Sequence, residues 1–190
     1  MGDVRETLRC LTPAVREKPS RRFLDRMLRR HVRELEGAVG AYTHDVRGHT
    51  PIHPEYVASV LDEEAAADAV FTVDTGMCCV WAARYLTPNG RRRVLGSFVH
   101  GSMANALPQA IGAQFLDRSR QVVSLSGDGG FSMLMGDFLT LVQYGLPVKV
   151  VVFNNSSLGM VDLEMMVDGL PPHGTGYPHT DFATIATAAG

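Results

Sequence analysis

Two short polar motifs, each placed directly after an apolar run, constrain this chain more than any other feature. Gly127-Asp128-Gly129 follows the apolar run 122–125, and Asn154-Asn155 follows the apolar run 148–153. The second run is continuous, as in strands that are buried on both faces. Residues 130–153 have the pattern of one helix and one strand, so both motifs are expected at the same edge of a parallel sheet.

The two motifs together offer a carboxylate and a carboxamide at that edge. Both groups bind through oxygen, which hard cations such as Mg²⁺ prefer. The glycines beside Asp128 let backbone N–H groups approach a phosphate closely. A lone Gly-Asp-Gly is commonly just a turn, but its pairing with Asn-Asn after a second strand predicts a clamp for a magnesium-diphosphate group.

From Ile52 onward, apolar patterns of helix and strand alternate, which predicts an α/β fold with a doubly wound parallel sheet. Helices are predicted over 54–64, 77–86, 103–116 and 181–190 and after Asp128, and strands over 70–73, 94–95, 122–125 and 148–153. Asp74 and both motifs then lie at carboxyl ends of strands, where such sheets bind ligands. A further strand and helix should follow the last helix, so we expect the sheet to be truncated at its carboxyl end.

Residues 1–50 lack strand signals and show helical spacing over 7–11 and 23–35, followed by a polar linker over 41–54. Basic residues are concentrated here, although the whole chain carries a net charge of −2. Because their signs alternate with acidic residues and no aromatics are interleaved, we interpret them as a solvated helix face and expect no nucleic acid partner.

The cysteine pattern and the absence of long apolar runs indicate the cellular compartment of the protein. Cys10, Cys78 and Cys79 form neither a disulfide framework nor a zinc motif, which favours a reducing cytoplasm. Charged residues follow Met1, so no signal peptide is expected, and no apolar run is long enough to predict a membrane span. We therefore expect a cytoplasmic protein.

The run GDGGFSMLMGDFLTLVQYGLPVKVVVFNN resembles the diphosphate-binding motif of thiamine diphosphate enzymes. In that family the aspartate and the second asparagine ligate Mg²⁺, together with a backbone carbonyl two residues later. The resemblance assigns these roles to Asp128, Asn155 and Ser157. Gly129 and Gly130 would then offer N–H groups to the diphosphate at the start of the next helix.

The stretch HGSMANALPQ, residues 100–109, also resembles the family. The resemblance makes Met103 the residue wedged between the two cofactor rings, with the Gly101 carbonyl and the Met103 N–H bonded to the pyrimidine. Position alone also allows Met103 to be a core residue at a helix start. The other cofactor-binding residues implied by the resemblance are Thr75, Gly76, Ser102, Ser156, Leu158, Gly159, Met160 and Val161. For Thr75 and Gly76, a plain turn with a helix cap is the alternative.

The finer resemblance is to pyruvate oxidase, the flavin-dependent pyruvate:quinone oxidoreductase of bacteria, carried by VWAARYL, GSMANALPQAIGAQ and LPVKVVVFNNSSLG. It implies oxidative decarboxylation of pyruvate to acetate and CO₂, with thiamine diphosphate, Mg²⁺ and, in the full-length family, FAD. It makes residues 1–50 the tail of a flavin-binding-type middle domain plus linker, and 51–190 an incomplete thiamine diphosphate-binding domain. Glu164 matches a family glutamate near the reacting carbon and is a candidate acid-base group, with a surface carboxylate as the alternative.

The resemblance also implies partners. In the family, the glutamate that activates the cofactor belongs to a pyrimidine-binding domain of a neighbouring subunit, so we expect the isolated chain to be inactive. The complete protein is expected to be a homo-oligomer that uses pyruvate and quinone, cytoplasmic or peripheral to the inner membrane. The alternatives are an acetolactate synthase-like or other 2-oxoacid decarboxylase, and a non-catalytic cofactor-binding fragment. Exposed interfaces predict low solubility or self-association.

Overall fold

The computed structural model describes residues 2–190, and the chain divides into two compact units between Tyr42 and Thr43. The first unit is helical, with α1 at Val4–Leu11, α2 at Arg22–Glu34, a π-helical turn at Leu35–Val39 and 3₁₀ turns at Thr12–Ala14 and Gly40–Tyr42. None of the described residues in α1 or α2 is buried. The two predicted helices are confirmed, and the assignment of this unit to a preceding domain stays a prediction.

The second unit is an α/β unit around a four-stranded parallel sheet. Its strands are β1 (Val70–Val73), β2 (Arg93–Gly96), β3 (Val122–Gly127) and β4 (Lys149–Phe153). Its helices are α3 (Pro54–Glu64), α4 (Met77–Tyr85), α5 (Ala106–Leu116), α6 (Asp128–Met133), α7 (Phe138–Tyr144), α8 (Gly159–Val167) and α9 (Phe182–Ala189). The predicted fold class is confirmed. Among the described helices, none is both long enough and apolar enough to cross a bilayer.

Apolar side chains cover both faces of the sheet, as a doubly wound fold requires. On one face, Phe71 and Leu125 pack with Ala82 of α4. On the other face, Val122 packs with Ala110 of α5. The two central strands β1 and β3 are therefore almost fully buried, including their polar side chains Thr72, Ser124 and Ser126.

The strand order is β2-β1-β3-β4, and all pairs are parallel. The chain leaves β1 toward β2 and then returns to the opposite side of β1 to form β3. The loops after β1 and β3 therefore diverge, which opens a crevice at the carboxyl ends of these two strands. Asp74 and Asp128, the residues that directly follow β1 and β3, lie at this switch point.

Three local expectations were wrong. The helix predicted from Met103 begins at Ala106. The helix predicted after the Gly-Asp-Gly motif is two short helices, α6 and α7, separated by a 3₁₀ turn, because Leu134 leaves the helical region at φ −125° and ψ 30°. The run 148–153 is not buried on both faces, since β4 is an edge strand with four half-buried residues and an exposed Lys149.

The start of α5 is determined by a carboxylate from another part of the chain. Asp74 is 1% exposed, and its Oδ1 accepts hydrogen bonds from the Ala106 N–H (2.8 Å) and from Asn105 Nδ2 (3.2 Å). This carboxylate caps the first turn of α5, a role that an Asn105 side chain would ordinarily fill. Residues 103–105 are thereby held outside the helix, with Ala104 at φ 60°.

Arg92 joins the end of α3 to the start of β2. Its guanidinium donates to Asp62 Oδ1 at 2.6 Å and to the carbonyl oxygens of Asp62, Ala65 and Ala66. The two side chains are 10% and 20% exposed, so this ion pair is largely withdrawn from water. Asp62 also accepts hydrogen bonds from the N–H and hydroxyl of Thr87.

We expect Arg92→Ala to lower the free energy of unfolding by about 2–4 kcal/mol, because it removes the cation from a half-buried carboxylate and a hydrogen-bond donor from three carbonyls. Arg93→Ala, at the next residue and at an exposed site, should stay within about 0.5 kcal/mol of wild type. Urea unfolding measures both. Equal effects of the two substitutions would contradict this role for Arg92.

Asp74 should make stability depend on pH. Burial raises the pKa of this carboxyl, and the hydrogen bonds from Ala106 and Asn105 oppose the rise only in part. Above about pH 4 the unfolded chain has lost this proton while the folded chain retains it. Stability therefore falls as the pH rises toward the folded-state pKa, since the folded state binds more protons.

Asp74→Asn removes that titration while keeping an oxygen for the Ala106 N–H. We expect the unfolding free energy of wild type, relative to that of Asp74→Asn, to decrease between pH 4 and pH 7. Urea titrations at several pH values measure the difference. Parallel pH profiles of the two proteins would show that the folded structure does not raise the pKa of Asp74.

Candidate functional site

The Gly-Asp-Gly motif lies where β3 passes into α6. Asp128 is 2% exposed, and its two carboxylate oxygens accept different backbone N–H groups. Oδ1 accepts from Gly129 at 3.0 Å, and Oδ2 accepts from Ser156 at 2.6 Å. The second bond joins the loop after β3 to the loop after β4. The structure therefore brings the two motifs together, as their spacing predicts.

The loop after β4 carries the other two predicted metal ligands. Asn155 is exposed, and its Oδ1 accepts a hydrogen bond from the Ser157 N–H at 3.2 Å. Ser156, between them, has φ 57°, which turns the backbone so that its N–H faces Asp128. Asp128, Asn155 and the Ser157 carbonyl could together offer only oxygen atoms to a cation, which is the ligand type that Mg²⁺ prefers.

Close packing around the Gly-Asp-Gly motif leaves room only for glycine. A Cβ on Gly129 would lie 2.7 Å from Leu158 Cδ2 and 3.5 Å from the Met103 methyl carbon. A Cβ on Gly130 would lie 2.6 Å from Asp74 Oδ2. Glycine at both positions keeps this backbone cradle free of a side chain of its own, while Leu158, Met103 and Asp74 pack closely against it. Because α6 has only six residues, its dipole adds little to this cradle.

The loop that contains Met103 reaches the same place. Gly101, at φ 71°, donates its N–H to the Ser97 carbonyl at 2.7 Å. Asn105 Nδ2 donates to the Ser102 carbonyl at 2.7 Å, which closes the loop just before α5. The Met103 methyl carbon then lies beside Gly129. The structure thus brings three of the predicted segments, after β2, β3 and β4, into contact.

The turn after β1 brings to the site Asp74, which was not among the predicted site residues, and the roles of Thr75 and Gly76 stay predictions. Thr75 and Gly76 lead into α4, and Gly76 begins that helix at φ 139°. Asp74, which the sequence placed only at a strand end, touches both the α5 start and Gly130. Its Oδ2 is buried and has no hydrogen-bond partner within residues 2–190.

The predicted residues that begin α8 divide into two groups. Leu158 lies against Gly129, and Gly159 packs close to Asn155, where a Cβ would be 2.9 Å from Asn155 Nδ2. Met160 is half-buried and Val161 is exposed. Glu164 is exposed on the same helix. Its role as an acid-base group stays a prediction.

A segment that the sequence analysis missed packs on the loop after β4. In this return segment, residues 174–180, Gly176 forms an antiparallel bridge with Ser157. The Leu158 N–H donates to the Thr175 carbonyl at 2.9 Å, and the Tyr177 N–H donates to the Ser156 carbonyl at 3.1 Å. The only sequence signal was the turn-forming Gly174-Thr175-Gly176.

Side chains strengthen this pairing. Asp162, in the first turn of α8, accepts hydrogen bonds from the hydroxyls of Ser157 and Thr175, which lower the pKa of its carboxyl. Asn154 Nδ2 donates to the Thr180 carbonyl at 2.8 Å. The predicted cofactor loop is therefore held on one side by Asp128 and on the other by the return segment.

Comparison with known proteins agrees with this geometry. Residues 74–190 match the family model described as "Thiamine pyrophosphate enzyme, C-terminal TPP binding domain". The chain is 37% identical over 183 residues to YdaP of Bacillus subtilis (strain 168), whose name describes a thiamine pyrophosphate-containing protein; the match covers 96% of this chain and 31% of YdaP.

Other relatives are named as acetolactate synthases. The large subunit of acetolactate synthase from Lactococcus lactis subsp. lactis (strain IL1403) is 34% identical over 120 residues, covering 63% of this chain and 21% of that protein. The corresponding subunit from Parasynechococcus marenigrum (strain WH8102) is 42% identical over 110 residues, covering 58% and 18%. The chain thus spans between about a fifth and a third of the length of these curated relatives. By the match over residues 74–190, it belongs to the family of thiamine pyrophosphate enzymes, through their C-terminal TPP-binding domain.

Proposed function

We propose that residues 43–190 form the magnesium- and diphosphate-binding half of an enzyme that uses thiamine diphosphate to act on a 2-oxoacid. The observation that carries this proposal is the buried Asp128 carboxylate, joined to the loop after β4 by the Ser156 N–H at 2.6 Å. That bond joins the Asp128 carboxylate to the loop that carries Asn155, beside Gly129 and Gly130 at the switch point of the sheet, and so supports the proposal.

The residues of this chain have distinct roles in the proposal. Asp128, Asn155 and the Ser157 carbonyl would hold Mg²⁺, and the Gly129 and Gly130 backbone would receive the diphosphate. When bound, thiamine diphosphate supplies a nucleophilic carbon and an electron sink for decarboxylation.

Two further residues would orient the ring system of the cofactor. Met103 and Gly101 lie on a loop that is closed by the bond from Asn105 to the Ser102 carbonyl. The placement of the Met103 methyl carbon next to Gly129 supports a wedge between the two rings. Because Ala104 is buried and the loop is pinned by Asp74 through Asn105, this wedge is held before the cofactor arrives.

Within this class, we propose an enzyme that resembles pyruvate oxidase, with pyruvate as substrate, FAD and quinone as electron acceptors, and a homo-oligomeric complete form. The quoted stretches around residues 81–86, 101–114 and 146–159 support this reading. The relatives named as acetolactate synthases support the alternative of a carboligating 2-oxoacid enzyme equally well. Product analysis with a pyrimidine-binding domain supplied separates the two, since acetate supports the first and acetolactate the second.

The binding function can be tested on the chain itself. We expect thiamine diphosphate to bind in the presence of Mg²⁺, and Asp128→Asn to weaken that binding by about 100-fold, because it removes a buried negative charge from the metal site. Asp128→Asn keeps the side-chain volume and an oxygen for the Ser156 N–H. Isothermal titration calorimetry gives both affinities.

Asp137→Asn is the matched control, because this carboxylate lies in the 3₁₀ turn between α6 and α7 and is not among the predicted ligands. It should bind the cofactor as wild type does. Unchanged binding by Asp128→Asn would remove Asp128 from the metal site.

A further inference from the structure

Tyr177 enters the site from the return segment. Its backbone N–H donates to the Ser156 carbonyl, one residue from the predicted ligand Asn155. This pairing directs the side chain back over the Gly-Asp-Gly motif, and the phenol oxygen lies 3.1 Å from the point where a Cβ on Gly129 would stand. A residue remote in sequence from the motif thus covers its second glycine, Gly129.

The phenol oxygen of Tyr177 is buried and has no hydrogen-bond partner among the described residues. Such a group costs stability, and buried hydroxyls of tyrosine ordinarily find a partner. Burial, followed by a hydrogen-bonding interaction with the nearby Asp128 carboxylate, raises the pKa of this phenol. The phenol therefore keeps its proton at neutral pH.

Asp128 is the neighbouring acceptor, but no hydrogen bond of normal length and angle joins its carboxylate to the phenol. The two oxygens of Asp128 already accept the N–H groups of Gly129 and Ser156. Leu158 and Met103, the other side chains against Gly129, have no oxygen to accept a hydrogen bond. The unused donor therefore lies at the glycine backbone where the proposed function places an anionic ligand.

We propose that Tyr177 is a further diphosphate-binding residue, whose phenol donates a hydrogen bond to a phosphate oxygen. The inference rests on the proposed function, since it needs a diphosphate next to Gly129. It adds a specific donor from a side chain to a cradle otherwise made of backbone N–H groups. Charge-assisted bonds of this kind are among the stronger hydrogen bonds.

The inference predicts opposite changes in stability and affinity. Tyr177→Phe removes a buried hydroxyl that has no partner in the ligand-free chain, so its melting temperature should stay equal or rise by about 2–4 °C. The same substitution removes a donor from the bound diphosphate. Its affinity for thiamine diphosphate with Mg²⁺ should therefore fall by about tenfold or more.

The experiment uses the full 190-residue chain as wild type, Tyr177→Phe and the control Tyr144→Phe. Tyr144 is 49% exposed at the end of α7, and loss of its hydroxyl should change neither property. Calorimetry with thiamine diphosphate, and separately with inorganic pyrophosphate, is run in Mg²⁺. Thermal unfolding is measured without ligand. We expect Tyr177→Phe to bind both ligands more weakly by a similar factor.

Three results would overturn the inference. Wild-type affinity in Tyr177→Phe would show that the phenol does not contact the ligand. A lower melting temperature together with weaker binding would make the phenol a structural support of Asp128. A loss for thiamine diphosphate alone, with pyrophosphate unaffected, would place the phenol against the ring system. If wild type itself binds neither ligand, the proposed function fails, and the inference fails with it.

Discussion

The hydrogen bond from the Ser156 N–H to the Asp128 carboxylate holds the site together. Asp128 follows the central strand β3, whereas Ser156 follows the edge strand β4, whose outer side is not covered by another described strand. At 2.6 Å between a backbone donor and a buried carboxylate, this is a charge-assisted bond that also offsets the cost of burying Asp128. The loop after β4 thus depends on the same carboxylate that is proposed to bind the metal.

A second buried carboxylate, Asp74, lies across the switch point in a different environment. Asp128 uses both oxygens for backbone N–H groups, whereas Asp74 uses one oxygen for the start of α5 and leaves the other without a partner. Gly130 lies between them, so close to Asp74 that a Cβ would collide with its oxygen. Asp74 therefore positions two neighbouring segments, which are the loop that contains Met103 on one side and the glycine backbone on the other.

The parts of the structure that depend on local pattern were predictable. The strand 70–73 and the helix 54–64 have the predicted bounds, because apolar runs and helical spacing reflect burial in this sheet. The start of α5 was not predictable from local pattern, because the group that accepts the Ala106 N–H is Asp74, which is remote in sequence. The exposure of β4 depends on strand order, which no local window contains. Tyr177 was missed because its approach to Gly129 arises from long-range pairing of the return segment with the loop after β4.

The central claim is that these loops form one binding site for a magnesium-diphosphate group. Phosphorus-31 NMR of thiamine diphosphate mixed with the chain tests it most directly, because the two phosphorus nuclei report on their own surroundings. The account predicts that the chain shifts or broadens both resonances when Mg²⁺ is present, and that EDTA restores the spectrum of the free cofactor. Identical spectra with and without the chain, at concentrations of both in the millimolar range, would contradict it.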